Sequence, residues 1–347
     1  MSIFFFKIKT QYENLGDALI NRELIELMSE SGELLINANK VPRNFLTQLK
    51  VDSKRISLLS SLSFYFKMLS KAIFSSAPVY LFLNPGGYGG EISAVSFVKK
   101  YLMYCFLSFL SLCNVRICHI GISYTSLGNR HAAILSRVTK RLFFNAVRDK
   151  ISWDYAQQSK LTVSKILPDL ALNLPTDFSG HNRGTDYFFS FRNSKEPNFL
   201  TRVGEFINET VTEKSVSLVG YQVAFDKKTN ESLVNGSNIE NKQVISLTLS
   251  LDDNVAFYST CKYVLSNRLH VLLLALSAGA IPVAVINKKE NAKIVGIFDS
   301  LGLSHCLIES SELSFEKVNA ISINAKQIEN KFSESSQQLK QFFKELN

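Results

Sequence analysis

Arg268 and His270 stand two residues apart at the mouth of an otherwise apolar stretch, SNRLHVLLLALSAGAIPVAV. An arginine presents a planar fork matched to carboxylate or phosphate, and a histidine can exchange a proton near neutral pH. A short strand ends at Ser266, and the following helix buries Leu269, Leu272, Leu273 and Leu276. Both polar residues then fall in that helix's first turn. Backbone N–H groups and the helix dipole favour an anion there. A core histidine beside a capping arginine would give the same pattern, but anion binding has two independent reasons to sit at this point.

Four other strand-to-helix turns carry residues able to do chemistry. In YENLGDALI, Asn14, Gly16 and Asp17 follow the first strand. Gly16 permits a tight turn, and Asp17 is either a helix cap or an acid/base group facing a ligand. In NPGGYGGE, Gly86 and Gly87 open a glycine cluster whose backbone can approach a ligand closely. It matches neither GxGxxG nor a P-loop. Arg192 ends the strand FFSFR, and Tyr221 and Gln222, with Asp226 beyond, follow the strand SVSLVGY. For these the bland alternatives are surface ion pairing and packing. No HExxH, GxSxG or CxxC motif occurs, so no metal site is expected. His119, His131, His181 and His305 are isolated and read as structural or surface residues.

The elements that position these turns alternate along the whole chain. Strand-length apolar runs (3–9, 79–84, 115–123, 186–192, KQVISLTLS, YVLS, IPVAVI) are interleaved with helix-length amphipathic stretches (126–144, 198–211, 253–261, 269–278, 291–301). Residues 40–77 are less regular, and 325–347 reads as a terminal amphipathic helix. A composition shift at 168–185, rich in proline and turn formers, marks a boundary. The expected organisation is an α/β chain of two Rossmann-like parallel-sheet domains, 1–175 and 183–323, with a C-terminal helix over 324–347. Ligands of such sheets bind beyond the carboxyl ends of the strands, which is where all five turns lie.

Composition bounds the partners. The 347 residues are 46% hydrophobic and 20% charged, with a formal charge of +9. The basic residues are scattered rather than striped and accompany no zinc finger or RNP-like motif, which argues against nucleic acid. Phosphorylated small molecules or an anionic lipid surface fit the charge. Five cysteines without a CxxC pair, among apolar neighbours, suggest buried reduced thiols in a cytoplasmic protein. The start MSIFFFKIKTQ lacks a cleavage site and reads as a strand. The apolar segment 101–115 is shorter than the roughly 20 residues needed to span a bilayer. A buried helix is the first expectation for it and docking on a membrane surface the second.

Taken together, the turns resemble the polysaccharide pyruvyltransferase family, which places pyruvate ketals on bacterial surface glycans. Its N-x-G-D turn resembles Asn14–Asp17, and its strand with a glycine cluster resembles Leu83–Glu91. Its RD…S and PD.A pattern is similar to Arg148, Asp149, Ser152 and Pro168–Ala171. Its S.R strand resembles Ser190–Arg192, its S.RLH…G.P signature resembles Ser266–Pro282 including Leu269, and Lys293 falls where the family often has a lysine. The glycine cluster departs from the usual run of three, and SAGAIP carries one extra residue. The resemblance implies a glycosyltransferase-B-like fold with its two domains facing a cleft, and phosphoenolpyruvate as donor substrate with no further cofactor. It also implies a saccharide acceptor, expected to be lipid-linked at the cytoplasmic membrane face. Arg192 and Arg268 would clamp the donor, His270 would move a proton, and Asp17 would be the base from the opposite domain. The rival reading is a nucleotide-sugar glycosyltransferase of the same fold.

Overall fold

The computed structural model describes residues 1–51, 55–179, 184–240, 242–248 and 250–347. The chain divides into two compact units. The first gathers residues 1–11, 20–173 and 335–347; the second gathers 12–19 and 174–334.

The first unit is built on β1 (Ser2–Lys7), α1 (Leu15–Ser31), β2 (Gly32–Asn37), α2 (Arg43–Gln48) and β3 (Ile56–Leu59). There follow α3 (Ser61–Phe74), β4 (Val79–Phe82), β5 (Gly86–Gly90), α4 (Ala94–Leu112) and β6 (Val115–Leu127). It ends with α5 (Asn129–Thr139), β7 (Phe144–Val147), α6 (Lys150–Gln158) and β8 (Lys165–Ile166). Its strands run parallel in the order β3-β2-β1-β4-β6-β7-β8, with β5 paired to the far end of β6. The run IFFF is continuous because both faces of β1 are covered. Ile3 and Phe5 pack with Phe64 and Met68 of α3 and Leu107 and Leu110 of α4. Phe4 turns the other way, 6.0 Å ring to ring from Phe343.

The second unit holds β9 (Thr185–Ser190), α7 (Phe199–Thr212), β10 (Ser217–Tyr221), α8 (Lys227–Asn235), β11 (Val244–Ser246) and α9 (Leu251–Ser259). Next come β12 (Cys261–Ser266), α10 (Leu269–Ser277), β13 (Ile281–Val285), α11 (Ala292–Leu301), β14 (Leu307–Ile308) and α12 (Phe315–Asn319). The last helix is α13 (Ala325–Glu345), whose C-terminal part belongs to the first unit. There Ser2 donates its backbone N–H to Asn347 Oδ1, and Tyr80 Oη donates to the Leu346 carbonyl. The second sheet is parallel in the order β11-β10-β9-β12-β13-β14. In each sheet the strand order reverses once, between β1 and β4 and between β9 and β12. Crevices at such reversals are where open α/β sheets bind ligands.

The structure corrects three sequence expectations. The segment 101–115 is not a buried helix: α4 hides Leu107 and Leu110 but exposes Leu102, Phe106, Phe109 and Leu112. The cysteines are not uniformly buried, since Cys105 on α4 is exposed and Cys113 half-buried, whereas Cys118, Cys261 and Cys306 are buried. Residues 12–19 group with the second unit although they precede nearly all of the first. Asn14 forms an antiparallel bridge with Val223, which ties the turn there.

Candidate functional site

The site of the second unit forms where β9 and β12 part. Arg192 lies two residues past the end of β9, and Arg268 two past β12. The backbone under Arg192 is held from three sides. Asn267 accepts from the Arg192 N–H and donates to its carbonyl, both at 2.9 Å. Asn230 of α8 does the same for Phe191, at 3.0 and 2.8 Å. Ser266 Oγ donates to the Ser190 carbonyl and accepts from the Arg268 N–H. Side chains locked in this way place a functional group without loop freedom.

Arg268 occupies the N-cap position of α10 without a side-chain capping bond, and its guanidinium is engaged elsewhere. Asp226 takes Nε and Nη2 in a two-pronged ion pair, the Nη2 contact being 2.7 Å, and the Phe225 ring lies 5.2 Å away. Arg192 is half-buried and donates Nη2 to Asn291 Oδ1 at 3.0 Å, at the start of α11. Among the described residues no carboxylate pairs with Arg192. Burial, and then the neighbouring Arg268 charge, pull its pKa below the ordinary value, while Asp226 opposes them. An arriving anion would favour the charged guanidinium and so oppose both. Gln222 is almost fully buried, and among the described residues its Nε2 has no acceptor. Tyr221 ends β10 beside it, Lys293 sits in the first turn of α11, and Leu269 buries its side chain in the core at the start of α10.

Gly16 joins this site by close approach rather than by turn strain. A Cβ there would lie 2.6 Å from His270 Nδ1 and 2.9 Å from His270 Cβ, so the start of α1 rests on the imidazole. Asn14, not Asp17, caps α1: its Oδ1 accepts from the Gly16 N–H and its carbonyl from Ala18. Asp17 instead accepts from Asn14 Nδ2 at 3.2 Å. Asn14, Gly16, Asp17, Gln222, Arg268 and His270 therefore belong to one unit, and Asp17 does not come from the other one.

Gly86 and Gly87 lie in the first unit, where β1 and β4 part. The glycine run, expected as an open turn, is strand β5. A Cβ at Gly86 or Gly87 would meet nothing within 4 Å among the described residues. Asn84 bridges the two strand ends, accepting from the Lys9 N–H and donating to the Lys7 carbonyl. Two histidines pin the run, His119 Nε2 to the Asn84 carbonyl at 3.0 Å and His131 Nδ1 to the Gly90 carbonyl at 3.1 Å. Burial drives the His119 pKa down to about 4, Lys100 adding to the fall and the bond to Asn84 opposing it. Burial and nearby Lys9 also lower the Lys100 pKa, and its ammonium lies 5.7 Å from the Tyr88 ring centre. His305 bonds the Ser322 carbonyl, and His181 lies outside the described residues.

The Arg148–Ala171 motifs are architectural. Arg148 donates to Asp169 Oδ2 and to Ser123 Oγ, each at 2.6 Å, while Asp149 caps α6 through the Ser152 N–H. All five residues are buried. Among the described residues no three of His, Cys, Asp and Glu gather as a metal site. Sequence reasoning missed Asn230, Asn267 and Asn291. Only the position of Asn267 between Ser266 and Arg268 signalled any of them.

Two parallel-sheet α/β units, each with one switch point in its strand order, define the glycosyltransferase-B-like fold class. The solved structures agree. The Anabaena protein Alr3699/HepE in complex with UDP-glucose superposes with a TM-score of 0.59 at 13% identity, over 99% of this chain and 98% of that one. A putative UDP-N-acetylglucosamine 2-epimerase from Listeria monocytogenes gives 0.55 at 11%, over 97% and 91%. The Rickettsia bellii UDP-N-acetylglucosamine 2-epimerase gives 0.54 at 10%, over 100% and 96%. No curated protein sequence matches the chain. The polysaccharide pyruvyl transferase model matches residues 14–288, and the chain belongs to that family. It is a transferase.

Proposed function

We propose that this transferase moves the pyruvyl group of phosphoenolpyruvate onto two hydroxyls of one sugar, as a ketal, in a surface polysaccharide or its lipid-linked precursor. The reaction takes place on the cytoplasmic side, where the donor is found, and uses no cofactor. The observation that carries the reading is Arg192. It is half-buried, clamped through its backbone, and pairs with an amide where an anion would serve better. The buried Gln222 Nε2 offers a second donor beside it. Phosphoenolpyruvate brings two anionic groups, a carboxylate and a phosphate, to such a site.

The chemistry divides among the site's residues. The donor's methylene carbon takes a proton from His270, leaving an oxocarbenium-like C2. One sugar hydroxyl adds to C2 and gives up its proton to Asp17. The bond from C2 to the phosphate oxygen breaks, and the second hydroxyl closes the ketal while its proton leaves with the phosphate. Arg192 and the N-termini of α10 and α11 stabilise the departing charge, Lys293 lying in the first turn of α11. Arg268, balanced by Asp226, orients this array and keeps Nη1 for the donor. The contact of Gly16 with His270 supports a single acid–base group, because Asp17 is the next residue. Within the first unit, Gly86 and Gly87, with Lys9 and Lys100, are suited to the hydroxyls and phosphates of a lipid-linked saccharide.

Thermal unfolding tests the donor. A ligand at 100 times its dissociation constant stabilises the fold by about 2.7 kcal/mol. Phosphoenolpyruvate should raise the midpoint, and Arg192→Ala should cut the rise by about half or more. The UDP-glucose bound to the Anabaena neighbour motivates the control. A rise with UDP-glucose and none with phosphoenolpyruvate would replace pyruvyl transfer by glycosyl transfer.

A further inference from the structure

We propose that the outward faces of α3 and α4 dock this protein on an anionic lipid surface. A helix that covers a parallel sheet needs one apolar stripe. α4 has two. One stripe, with Leu107 and Leu110, packs on Ile3, Val79 and Val115 of the sheet. The other runs Val95, Val98, Leu102, Phe106, Phe109 and Leu112 at helical spacing, and every member is exposed, Leu112 by 87%. α3 repeats the arrangement. Phe64, Met68 and Ala72 are buried, while Leu62, Phe66, Ile73 and Phe74 are exposed, Leu62 by 84% and Phe74 by 83%. The Tyr65 and Phe106 rings meet edge to face at 5.4 Å, so the two stripes form one surface. An apolar patch of this extent marks an interaction site rather than ordinary surface.

Charge identifies the occupant. The two helices carry Lys67, Lys71, Lys99 and Lys100 and no aspartate or glutamate. Lys71 reaches Glu33 on β2, while Lys67 and Lys99 are exposed. Against a second copy of the same face, the exposed Lys67 and Lys99 would meet one another with no acid on either helix to pair them. Against anionic headgroups, each gains attraction while the apolar stripe enters the acyl boundary. α4 is long and apolar enough to cross a bilayer by length and composition. It lies in the interface instead, because it connects β5 to β6, which pair in one parallel sheet. The inference is independent of the donor chemistry.

The test is co-sedimentation of the full chain with phosphatidylcholine vesicles, with and without phosphatidylglycerol, alongside sedimentation velocity without lipid. Wild type should bind the anionic vesicles, and omitting phosphatidylglycerol should weaken binding at least about tenfold. A triple variant, Leu102→Ser, Phe109→Ser and Leu112→Ser, should lose about a hundredfold or more while keeping its melting midpoint, since the replaced side chains are exposed. Lys67→Gln with Lys99→Gln, on solvated positions, should reproduce the loss seen without anionic lipid. Equal vesicle binding by wild type and the triple variant would overturn the proposal. So would a wild-type dimer that the triple variant converts to monomer without any vesicle binding, which would assign the face to a second copy. Phosphoenolpyruvate binding is measured separately, so its absence would strike the donor reading alone.

Discussion

Arg148 in the first unit and Arg268 in the second are each locked to a buried aspartate, yet their surroundings differ. Around Arg148 the polar groups close on one another: Asp169, Ser123, Asp149 and Ser152 form a buried network whose hydrogen bonds join β6, β7 and α6. Around Arg268 the network stops short. Arg192 beside it has an asparagine where Arg148 has a carboxylate, and the Gln222 Nε2 has no acceptor among the described residues. Buried polar groups are normally satisfied, so the half-finished network at a switch point is where the proposed function seats the donor. Residue type does not separate the two arginines. Completion of the network does.

Breaking the closed network should have the largest effect on stability. Arg148→Ala leaves the Asp169 charge buried and unpaired, which costs about 3–5 kcal/mol in denaturant unfolding. A loss below about 1 kcal/mol would remove the architectural reading of the motif.

His119 sharpens the comparison through pH. Its folded pKa of about 4 lies below the unfolded value of about 6.5, so folding favours the neutral ring. The contribution is complete above pH 6.5 and is lost as pH falls towards 4, a change of roughly 3 kcal/mol. His119→Asn should flatten that limb of the plot of midpoint against pH. An unaltered acid limb would place the titrating group elsewhere.

Gly16→Ala must displace either the turn or His270, at about 1–3 kcal/mol. Turnover should fall further than stability does, because the two candidate proton-transfer groups move apart. Full activity in this variant would separate the glycine from the chemistry.

The smallest stability changes belong to the open network. Arg192→Ala should alter the midpoint without ligand little, yet weaken phosphoenolpyruvate about tenfold to a hundredfold by calorimetry. Gln222→Leu should be neutral or stabilising within about 1 kcal/mol, since it removes a buried donor that lacks an acceptor, and should weaken the donor about tenfold. A strongly destabilised Gln222→Leu would show that the amide serves the fold.

Much of this was legible in the chain. Both sheets could be read because fully buried parallel strands leave continuous apolar runs such as IFFF in the first and IPVAV in the second. The helices α6 (KISWDYAQQ) and α8 (KKTNESLVN) left no such trace, being nine residues long and mostly polar. KQVISLTLS looked like a full strand, but among the described residues only Val244–Ser246 pairs, at the sheet edge. Arg192, Arg268 and His270 were visible as candidates because each follows a strand. The asparagines that hold Arg192 and its neighbour Phe191 were not, because Asn230 and Asn291 act on residues far away in sequence.

The sequence by itself determined the alternation of strands and helices, the family motifs, and the excess of positive charge, since each is a local pattern or a count. Tertiary structure alone decided which arginine is closed off and which stays open, and why position 16 must lack a side chain. It also decided that α4 shows an apolar face to the outside. These depend on what the chain brings together from distant positions: Asp226 onto Arg268, His270 onto Gly16, and a sheet that covers only one side of a doubly apolar helix.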